Sequence, residues 1–179
     1  EIPKRDWSSD VCSSDLQRVE RFKVPLLADL VDEHIEDNKS VVVFVCFRET
    51  VIELMDRLSN RHKVSVVQGG QTDEERMQNI DAFQSNENHV IIVTVQAGGA
   101  GLSLHDVHRQ RPRVALICPT YSATDFRQAL GRIHRVGGTK AVQHIVLAAG
   151  TIEERVKNRL DKKLDNIDAF NGITDEDLQ

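Results

Sequence analysis

The segment 128–138, QALGRIHRVGG, places two arginines three residues apart. A helix advances about 100° per residue, so Gln128, Arg132 and Arg135 would lie within about 60° of one another. The apolar residues of this helix would fill the opposite side and pack inward. Guanidinium groups stay charged and bind paired oxygens, which suits recognition of a polyphosphate at the edge of the sheet where ligands bind. An isolated arginine pair is, however, more often an ordinary exposed basic face.

A second segment that could do chemistry is 96–104, QAGGAGLSL, which directly follows a strand-like apolar run. Its glycines, Gly98, Gly99 and Gly101, allow positive φ angles and close approach, leaving backbone N–H groups for phosphate oxygens. A tight turn without a ligand explains the same glycines equally well. The segment is not a P-loop, because no Lys followed by Ser or Thr closes it.

The elements that would position these segments alternate between short β-rich runs and amphipathic helices. The runs that predict strands are residues 41–47, 63–68, 89–95, 113–119 and 142–149. This alternation predicts an α/β fold, with a parallel sheet of about five to six strands flanked by helices and closed by a C-terminal helix. Ligands bind such sheets at the carboxyl ends of the strands.

The sequence indicates where the helix between the runs 63–68 and 89–95 begins. Thr72 and Glu75 have the spacing of a capping box. The helix that follows is expected to place Met77, Ile80 and Phe83 inward.

Composition limits the class of protein. The chain has 179 residues, 40% of them hydrophobic, which is enough for one ordinary core. Its net charge of −5 counts mildly against nucleic-acid binding. No apolar run is long enough for a membrane span, so we expect no membrane partner and an intracellular location, cytoplasmic in a prokaryote or virus. The cysteines Cys12, Cys46 and Cys118 are too widely spaced for a zinc site, and no metal site is expected.

The N-terminal segment 5–16, RDWSSDVCSSDL, is rich in Ser and Asp and shows neither helical nor strand periodicity. Residues 6–16 match the in-frame translation of a common short-read sequencing adapter. We therefore expect residues 1–16 to be non-native and disordered, in preference to a natural flexible linker. The rest of the chain is divided into a lobe, 17–150, and a C-terminal bracing helix with an acidic tail, 151–179.

Taken in order, these segments resemble the second RecA-like lobe of superfamily-two helicases, nearest to Swi/Snf-type DNA translocases and related phage helicases. VVVFVCFRETVIEL is similar to motif IV, VIIVTVQAGGAGLSL to motif V and QALGRIHRVGG to motif VI. VVQGGQTDEERMQNIDAF is similar to the family segment that precedes motif V, and VLAAGTIEERV to the Swi/Snf-like segment after motif VI. The resemblance covers residues 17 to about 164 and implies a three-layer RecA-like lobe.

The resemblance implies a nucleotide site that this lobe shares with another. Arg135 would be an arginine finger and Arg132 a second γ-phosphate contact, both reaching ATP with Mg²⁺ that an N-terminal lobe of the same protein mainly binds. Gln128 would help to orient the two arginines. Gly101 and Ser103 would face the nucleotide, although Swi/Snf relatives usually have Asn at the position of Ser103.

The resemblance also implies a nucleic-acid track. Motif IV would place Phe47 and Arg48 near the strand path. Motif V would place Thr94 or Val95, and the backbone around Gly98 and Gly99, against the phosphates. Val95 departs from the family pattern, because a residue with a hydroxyl is common there. Arg76 is as well explained by a structural ion pair as by a ligand.

Two other patterns look like metal-binding motifs but are not interpreted as metal sites. VDEHI, residues 31–35, mimics the acidic box that holds magnesium in the first lobe, but it lies within an amphipathic helix and no P-loop precedes it. Asp32 and Glu33 are therefore expected on a solvated helix face. His105 and His108 lack partners at metal-ligand spacing and are expected in a loop.

The sequence therefore predicts the C-terminal half of an ATP-dependent helicase or translocase, with double-stranded DNA as the expected nucleic acid. Because it has no P-loop, the chain alone is expected to hydrolyse ATP negligibly. One alternative is a stand-alone nucleic-acid-binding module derived from such a lobe, which would use no ATP. Another is a small nucleotide-binding domain whose arginines bind a free phosphorylated ligand.

Overall fold

The computed structural model of the chain describes residues 10–97, 102–133 and 141–171. Helices and strands alternate along these ranges. In chain order they are α1 Asp10–Phe22, α2 Val24–Glu36, β1 Ser40–Val45, α3 Arg48–Leu58, β2 Val64–Val67, α4 Asp73–Gln84, β3 Val90–Thr94, β4 Arg113–Ile117, α5 Ala123–Gly131, β5 Val142–Ile145 and α6 Ile152–Asn171.

The strands form one parallel sheet in the order β2-β3-β1-β4-β5. Strand β1 is central, and its Val43 pairs with Ile92 on one side and Leu116 on the other. Every residue of β1, β3 and β4 is buried, as a strand covered on both faces requires. The predicted α/β class and the five strands are confirmed, although each strand ends earlier than the sequence suggested.

Two hydrophobic clusters lie on opposite faces of the sheet and make the lobe three-layered. One cluster joins the sheet to α4, α5 and α6 through Phe83, Phe126 and Leu160. The other joins it to α2 and α3 through Leu27 and Leu54. The three-layer RecA-like architecture is therefore confirmed. None of the described helices has the length and apolar composition that crossing a membrane requires.

Helix α4 begins with the predicted capping box. The N–H of Glu75 donates to Thr72 Oγ1 at 3.2 Å, and the N–H of Thr72 donates to Glu75 Oε2 at 2.9 Å. Phe83 is fully buried, but Met77 is 57% exposed, so the expectation that Met77 packs inward is wrong. The reason is angular, since six helical steps place Met77 about 120° from Phe83 around the helix.

Helix α1 corrects the expectation of disorder up to residue 16. Residues 10–16 form its first half, and Leu16 is only 1% exposed. Leu16 and Glu20 are four residues apart, so both lie on the side of the helix that packs against the sheet. Residues 1–9 lie outside the described part of the chain, and the adapter origin of the segment stays a prediction.

Helix α5 ends at Gly131, before the two arginines that were expected to lie on it. Glycine is a poor helix former, and the turn closes with a hydrogen bond from Arg132 N to Ala129 O at 3.2 Å. The side chain of Gln143 donates to Leu130 O at 2.7 Å. Arg132 is the C-cap residue directly after α5, and Arg135 lies outside the described residues, so the shared helical face of Gln128, Arg132 and Arg135 stays a prediction.

A buried ion pair joins the N-terminal helices to the start of α6. Lys23 Nζ lies 2.6 Å from Glu153 Oε1, with the two side chains 3% and 0% exposed. Lys23 Nζ also donates to Val146 O at 2.8 Å, and Glu153 Oε2 accepts from Ala148 N at 2.8 Å. Burial acts to lower the pKa of Lys23, but the attraction of Cys118 and Glu153 outweighs it, so this pKa lies above its ordinary value. The amine therefore stays protonated.

Replacing Lys23 with Met should destabilise the lobe. The variant leaves Glu153 buried without its cation, so we expect the free energy of unfolding to fall by about 3 to 5 kcal/mol. Urea denaturation followed by circular dichroism measures the change. In the control Lys63→Met, which removes an exposed pair with Glu87, the loss should stay below about 1 kcal/mol. An unchanged midpoint for Lys23→Met would show that the buried pair contributes nothing.

Candidate nucleotide and nucleic-acid site

The turn between β1 and α3 presents two of the predicted nucleic-acid contacts. Phe47 has an extended backbone, is half-buried and packs against the cluster that faces α5 and α6. Arg48 is the first residue of α3 and is exposed. Both residues lie at the carboxyl end of the central strand, where parallel sheets bind ligands.

Glu20 of α1 holds this turn in place. Its carboxylate accepts hydrogen bonds from Cys46 N at 2.8 Å and from Phe47 N at 3.1 Å. No side chain of α3 itself caps that helix, so the contact from α1 fixes where α3 begins. Burial raises the pKa of the fully buried Glu20, and the hydrogen bonds from Cys46 and Phe47 act in the opposite direction.

Cys46 and Cys118 lie beside this turn and do no thiol chemistry there. Cys118 is fully buried, and burial raises its pKa to about 12. Cys46 is half-buried and its Sγ donates to Pro119 O at 3.2 Å, while burial raises its pKa well above the ordinary value. A thiol is a nucleophile only when deprotonated, so neither is reactive at neutral pH. Cys118 therefore acts as a small buried apolar residue.

At the end of β3, Thr94 and Val95 are locked into the sheet. Thr94 is 8% exposed and lies opposite Val45, and Val95 is 3% exposed with its N–H donating to Val45 O at 2.8 Å. Little side-chain surface is left for a ligand at either residue. The guanidinium of Arg76 donates to the carbonyl of Ala97, which fixes the chain just before the glycine segment. The predicted contacts Gly98, Gly99 and Gly101 lie outside the described residues.

The chain after the glycine segment is anchored on both sides of Ser103. Leu102 and Leu104 are buried in the core at 2% and 0% exposure, and Ser103 between them is half-buried. The amide of Gln84 donates to the carbonyl of Ser103. The hydroxyl of Ser103 lies 2.8 Å from Nδ1 of His105. His105 therefore lies in a loop, as predicted.

Arg132 is bound directly to this anchored segment. Its Nη1 donates to Leu102 O at 3.3 Å, and the N–H of Leu104 donates to Arg132 O at 2.9 Å. Gln128 lies one turn earlier on α5 and is half-buried. The structure therefore brings together Ser103, Arg132 and the residues that follow the glycine segment. Arg135 lies outside the described residues.

Arg132 and Arg48 lie in different parts of the lobe. Helix α5 leaves the carboxyl end of β4 and runs back along the sheet, and Leu130 near its end is bonded to Gln143 near the start of β5. Arg132 is thus on the flank of the sheet, whereas Arg48 is at the carboxyl edge. The predicted residues form two separate regions.

The acidic segment 31–35 lies on a helix, as the sequence indicated. VDEHI lies within α2 rather than at the end of a strand, and Glu33 is exposed. Asp32 was expected to be solvated but is 25% exposed and ion-paired, 2.8 Å from Arg61 Nη1 and 2.6 Å from His62 Nε2. Within the described ranges, no group of three or more acidic, His or Cys side chains is placed to hold a metal ion.

Sequence reasoning missed the buried charges of the described residues, among them Glu20, Lys23 and Glu153. A signal was present, because Leu16, Glu20 and Lys23 share the helical spacing of the apolar residues around them. Charged residues at such spacing are inward-facing rather than solvated when a partner is available.

The chain is similar to known proteins in both sequence and structure. Residues 23–137 match the family model described as "Helicase conserved C-terminal domain". The crystal structure of the C-terminal part of the Fun30 ATPase domain superposes with a TM-score of 0.67 at 26% identity, over 77% of this chain and 44% of that one.

Two relatives differ in the nucleic acid that their names mention. A candidate ATP-dependent RNA helicase, L364, of Acanthamoeba polyphaga mimivirus is 38% identical over 165 residues, 91% of this chain and 30% of that protein. The DNA excision repair protein ERCC-6-like of Homo sapiens is 30% identical over 155 residues, 84% of this chain and 12% of that protein. The chain thus spans a third or less of the length of these relatives. With its fold, motif order and most of its length accounted for, the chain belongs to the family of helicase conserved C-terminal domains.

Proposed function

We propose that this chain works as the C-terminal lobe of an ATP-dependent nucleic-acid translocase or helicase. In this proposal an N-terminal lobe outside the chain binds ATP, and the present lobe supplies arginines to the nucleotide and part of the nucleic-acid track. The lobe has no P-loop in its sequence, so by itself it hydrolyses ATP negligibly.

The observation that carries the proposal is the contact between Arg132 and the segment after the glycines. Arg132 Nη1 and the carbonyl of Leu102 are 3.3 Å apart, and the backbone of Leu104 is bonded to that of Arg132. This contact holds Arg132 beside Leu102 and Leu104, which follow the glycine segment in the sequence. It supports the proposal that the two phosphate-binding patterns act at one site.

The chemistry assigned to this region is stabilisation of charge. During phosphoryl transfer the negative charge on the transferred group is spread over its oxygens, and a guanidinium placed beside them lowers the barrier. We assign this role to Arg135, with Arg132 as a second phosphate contact and Gln128 orienting both. Gly101 and Ser103 would face the nucleotide.

Magnesium would accompany the ATP. The described residues of this lobe offer no acidic cluster for it, so we place its ligands in the other lobe. This lobe contributes donors and positive charge only.

The nucleic-acid contacts are assigned to the carboxyl edge. Arg48 is exposed there, with Phe47 held beneath it by Glu20. Gly98 and Gly99 would approach the phosphates through their backbones. Because Thr94 and Val95 are buried, their contribution would be to fix where the glycine segment leaves the sheet.

Double-stranded DNA is the proposed nucleic acid. It is supported by the likeness to the ERCC-6-like protein, which is named for DNA excision repair, whereas the viral relative is named for RNA. Movement would follow from closure of the two lobes on ATP and their opening after hydrolysis.

A stand-alone binding module is the rival function. It would keep the exposed Arg48 edge and bind nucleic acid through its phosphates, but it would have no use for arginines facing a nucleotide. ATP hydrolysis by the longer protein separates the two functions.

The ATPase prediction concerns the two arginines in the full-length protein. Arg135→Ala should lower nucleic-acid-stimulated ATP hydrolysis by at least about a hundredfold, because the charge that stabilises the transferred phosphoryl group is lost. Arg132→Ala should also lower it, and Arg132→Lys should restore part of the loss. The control Arg57→Ala, at an exposed position on α3, should leave the rate unchanged. Wild-type hydrolysis in Arg135→Ala would remove the proposed role.

The nucleic-acid prediction concerns the 179-residue chain alone. Arg48→Ala should weaken binding to a 20-base-pair DNA duplex, and the slope of log K against log salt should fall by about 0.9 because one phosphate contact is lost. Fluorescence anisotropy at several salt concentrations measures both quantities. Arg57→Ala removes the same charge from the other end of the same helix and should have little effect. Equal effects of the two variants would contradict a specific role for Arg48, and a matching titration with RNA tests the preference for DNA.

A further inference from the structure

Helix α6 carries a line of cations that the helicase motifs do not include. Arg155, Arg159 and Lys163 are four residues apart, so they lie on one side of the helix and span about 12 Å. All three are exposed. Arg155 and Arg159 line a small cavity together with Tyr121, and Lys163 Nζ donates to Tyr121 O at 3.4 Å. The line therefore runs beside the loop that follows β4.

Arg18 of α1 extends this line. An open cleft of about 600 Å³ between α1 and α6 is lined by Arg18 and Arg155, and also by Phe22, which is 86% exposed. One carboxylate, that of Asp15, shares the cleft. Arg18, Arg155, Arg159 and Lys163 are called the α6 stripe below.

The charges of the α6 stripe are not neutralised within the lobe. Among the residues that the structure describes, no carboxylate oxygen lies within 4 Å of any of the four cations. Several other surface cations are paired with carboxylates, as Lys39 is with Asp37 at 2.9 Å and Lys157 with Asp161 at 2.6 Å. A protein with a net charge of −5 thus keeps a local positive surface.

The α6 stripe is continuous with the edge that carries Arg48. Helix α1 contacts both α3 and α6, so it lies between the two. Its Glu20 holds Phe47, next to Arg48, and its Arg18 belongs to the α6 stripe. A polyanion that reaches Arg48 therefore meets Arg18 and Arg155 as it continues across the lobe. Exposed arginines beside an exposed aromatic ring are typical of nucleic-acid surfaces.

We propose that the α6 stripe binds the phosphate backbone of nucleic acid and extends the track beyond the helicase motifs. This inference rests on the proposed function, because it takes the Arg48 edge as the start of the track. The contacts are to phosphate only, so they add affinity and salt dependence without sequence preference.

The test compares two triple variants of the 179-residue chain that lose the same charge. Arg155→Gln with Arg159→Gln and Lys163→Gln removes most of the α6 stripe. The control, Lys39→Gln with Arg61→Gln and Lys63→Gln, removes three cations that are paired with carboxylates. All six residues except Lys39 are exposed, and Lys39 is half-buried at 31% exposure, so the fold should be retained, which circular dichroism checks.

Binding to a fluorescein-labelled 20-base-pair DNA duplex is measured by anisotropy at several salt concentrations. For the α6-stripe variant we expect the Kd to rise at least about tenfold at 50 mM salt and the salt slope to fall by about 2.5, as the loss of three phosphate contacts requires. The control variant should keep the wild-type slope. Equal behaviour of the two variants would overturn the inference.

The outcome for Arg48→Ala separates this inference from the proposed function. If Arg48→Ala weakens binding and the α6-stripe variant does not, the track ends at the edge of β1 and only the inference fails. If the wild-type chain binds no duplex even at about 20 mM salt, where phosphate contacts are strongest, both fail.

Discussion

The ion pair between Lys23 and Glu153 is the constraint on which the carboxyl edge of this lobe depends. Taking two charges out of water costs several kcal/mol for each ion, and only a close contact with further hydrogen bonds offsets that cost. Apolar surfaces can slide against each other with little penalty, but these two groups must meet in one geometry. The pair therefore fixes α2 and the start of α6 relative to the ends of β4 and β5. Glu20, one turn before Lys23, is fixed with it and holds the turn that presents Arg48.

The two regions of predicted ligand contacts are joined by a short stretch of chain. Thr94 is bound into the sheet beside Val45, and Leu102 is bound to Arg132. In the proposed function, residues between these anchors contact nucleic acid at one end and the nucleotide at the other. The buried positions of Thr94 and Val95 are consistent with such an anchoring role.

The fold was largely predictable, and the reasons are local. Strands β1, β3 and β4 are covered on both faces, so most of their residues are apolar. Such continuous apolar runs can be recognised in the sequence without knowledge of the fold. The capping box of α4 is a pattern of two residues and needs no tertiary information. The end of α5 was not predictable in the same way, because the side chain of Gln143 competes for Leu130 O and lies in a later strand. The spacing of apolar residues predicts which residues share one face of a helix. It does not predict which residues from distant parts of the sequence will contact that helix.

The candidate site shows the same limit. Motif order correctly indicated the family, and the contact of Arg132 with Leu102 is consistent with the expected neighbourhood of the two segments. Helix α5 ends at Gly131 with Arg132 as its C-cap, a boundary that the spacing of apolar residues did not predict. The buried position of Lys23 could not be predicted locally, because its partners Val146 and Glu153 lie more than a hundred positions away.

That separation in sequence bears on how the protein is made. Lys23 and the carbonyl of Val146 are 123 positions apart, and Glu153 comes later still. During translation the N-terminal helices and the central strand leave the ribosome long before their ionic partner is synthesised. Until then the amine of Lys23 has to remain hydrated, so α2 cannot settle fully on the growing sheet. The buried ion pair can therefore form only after most of the lobe has been synthesised.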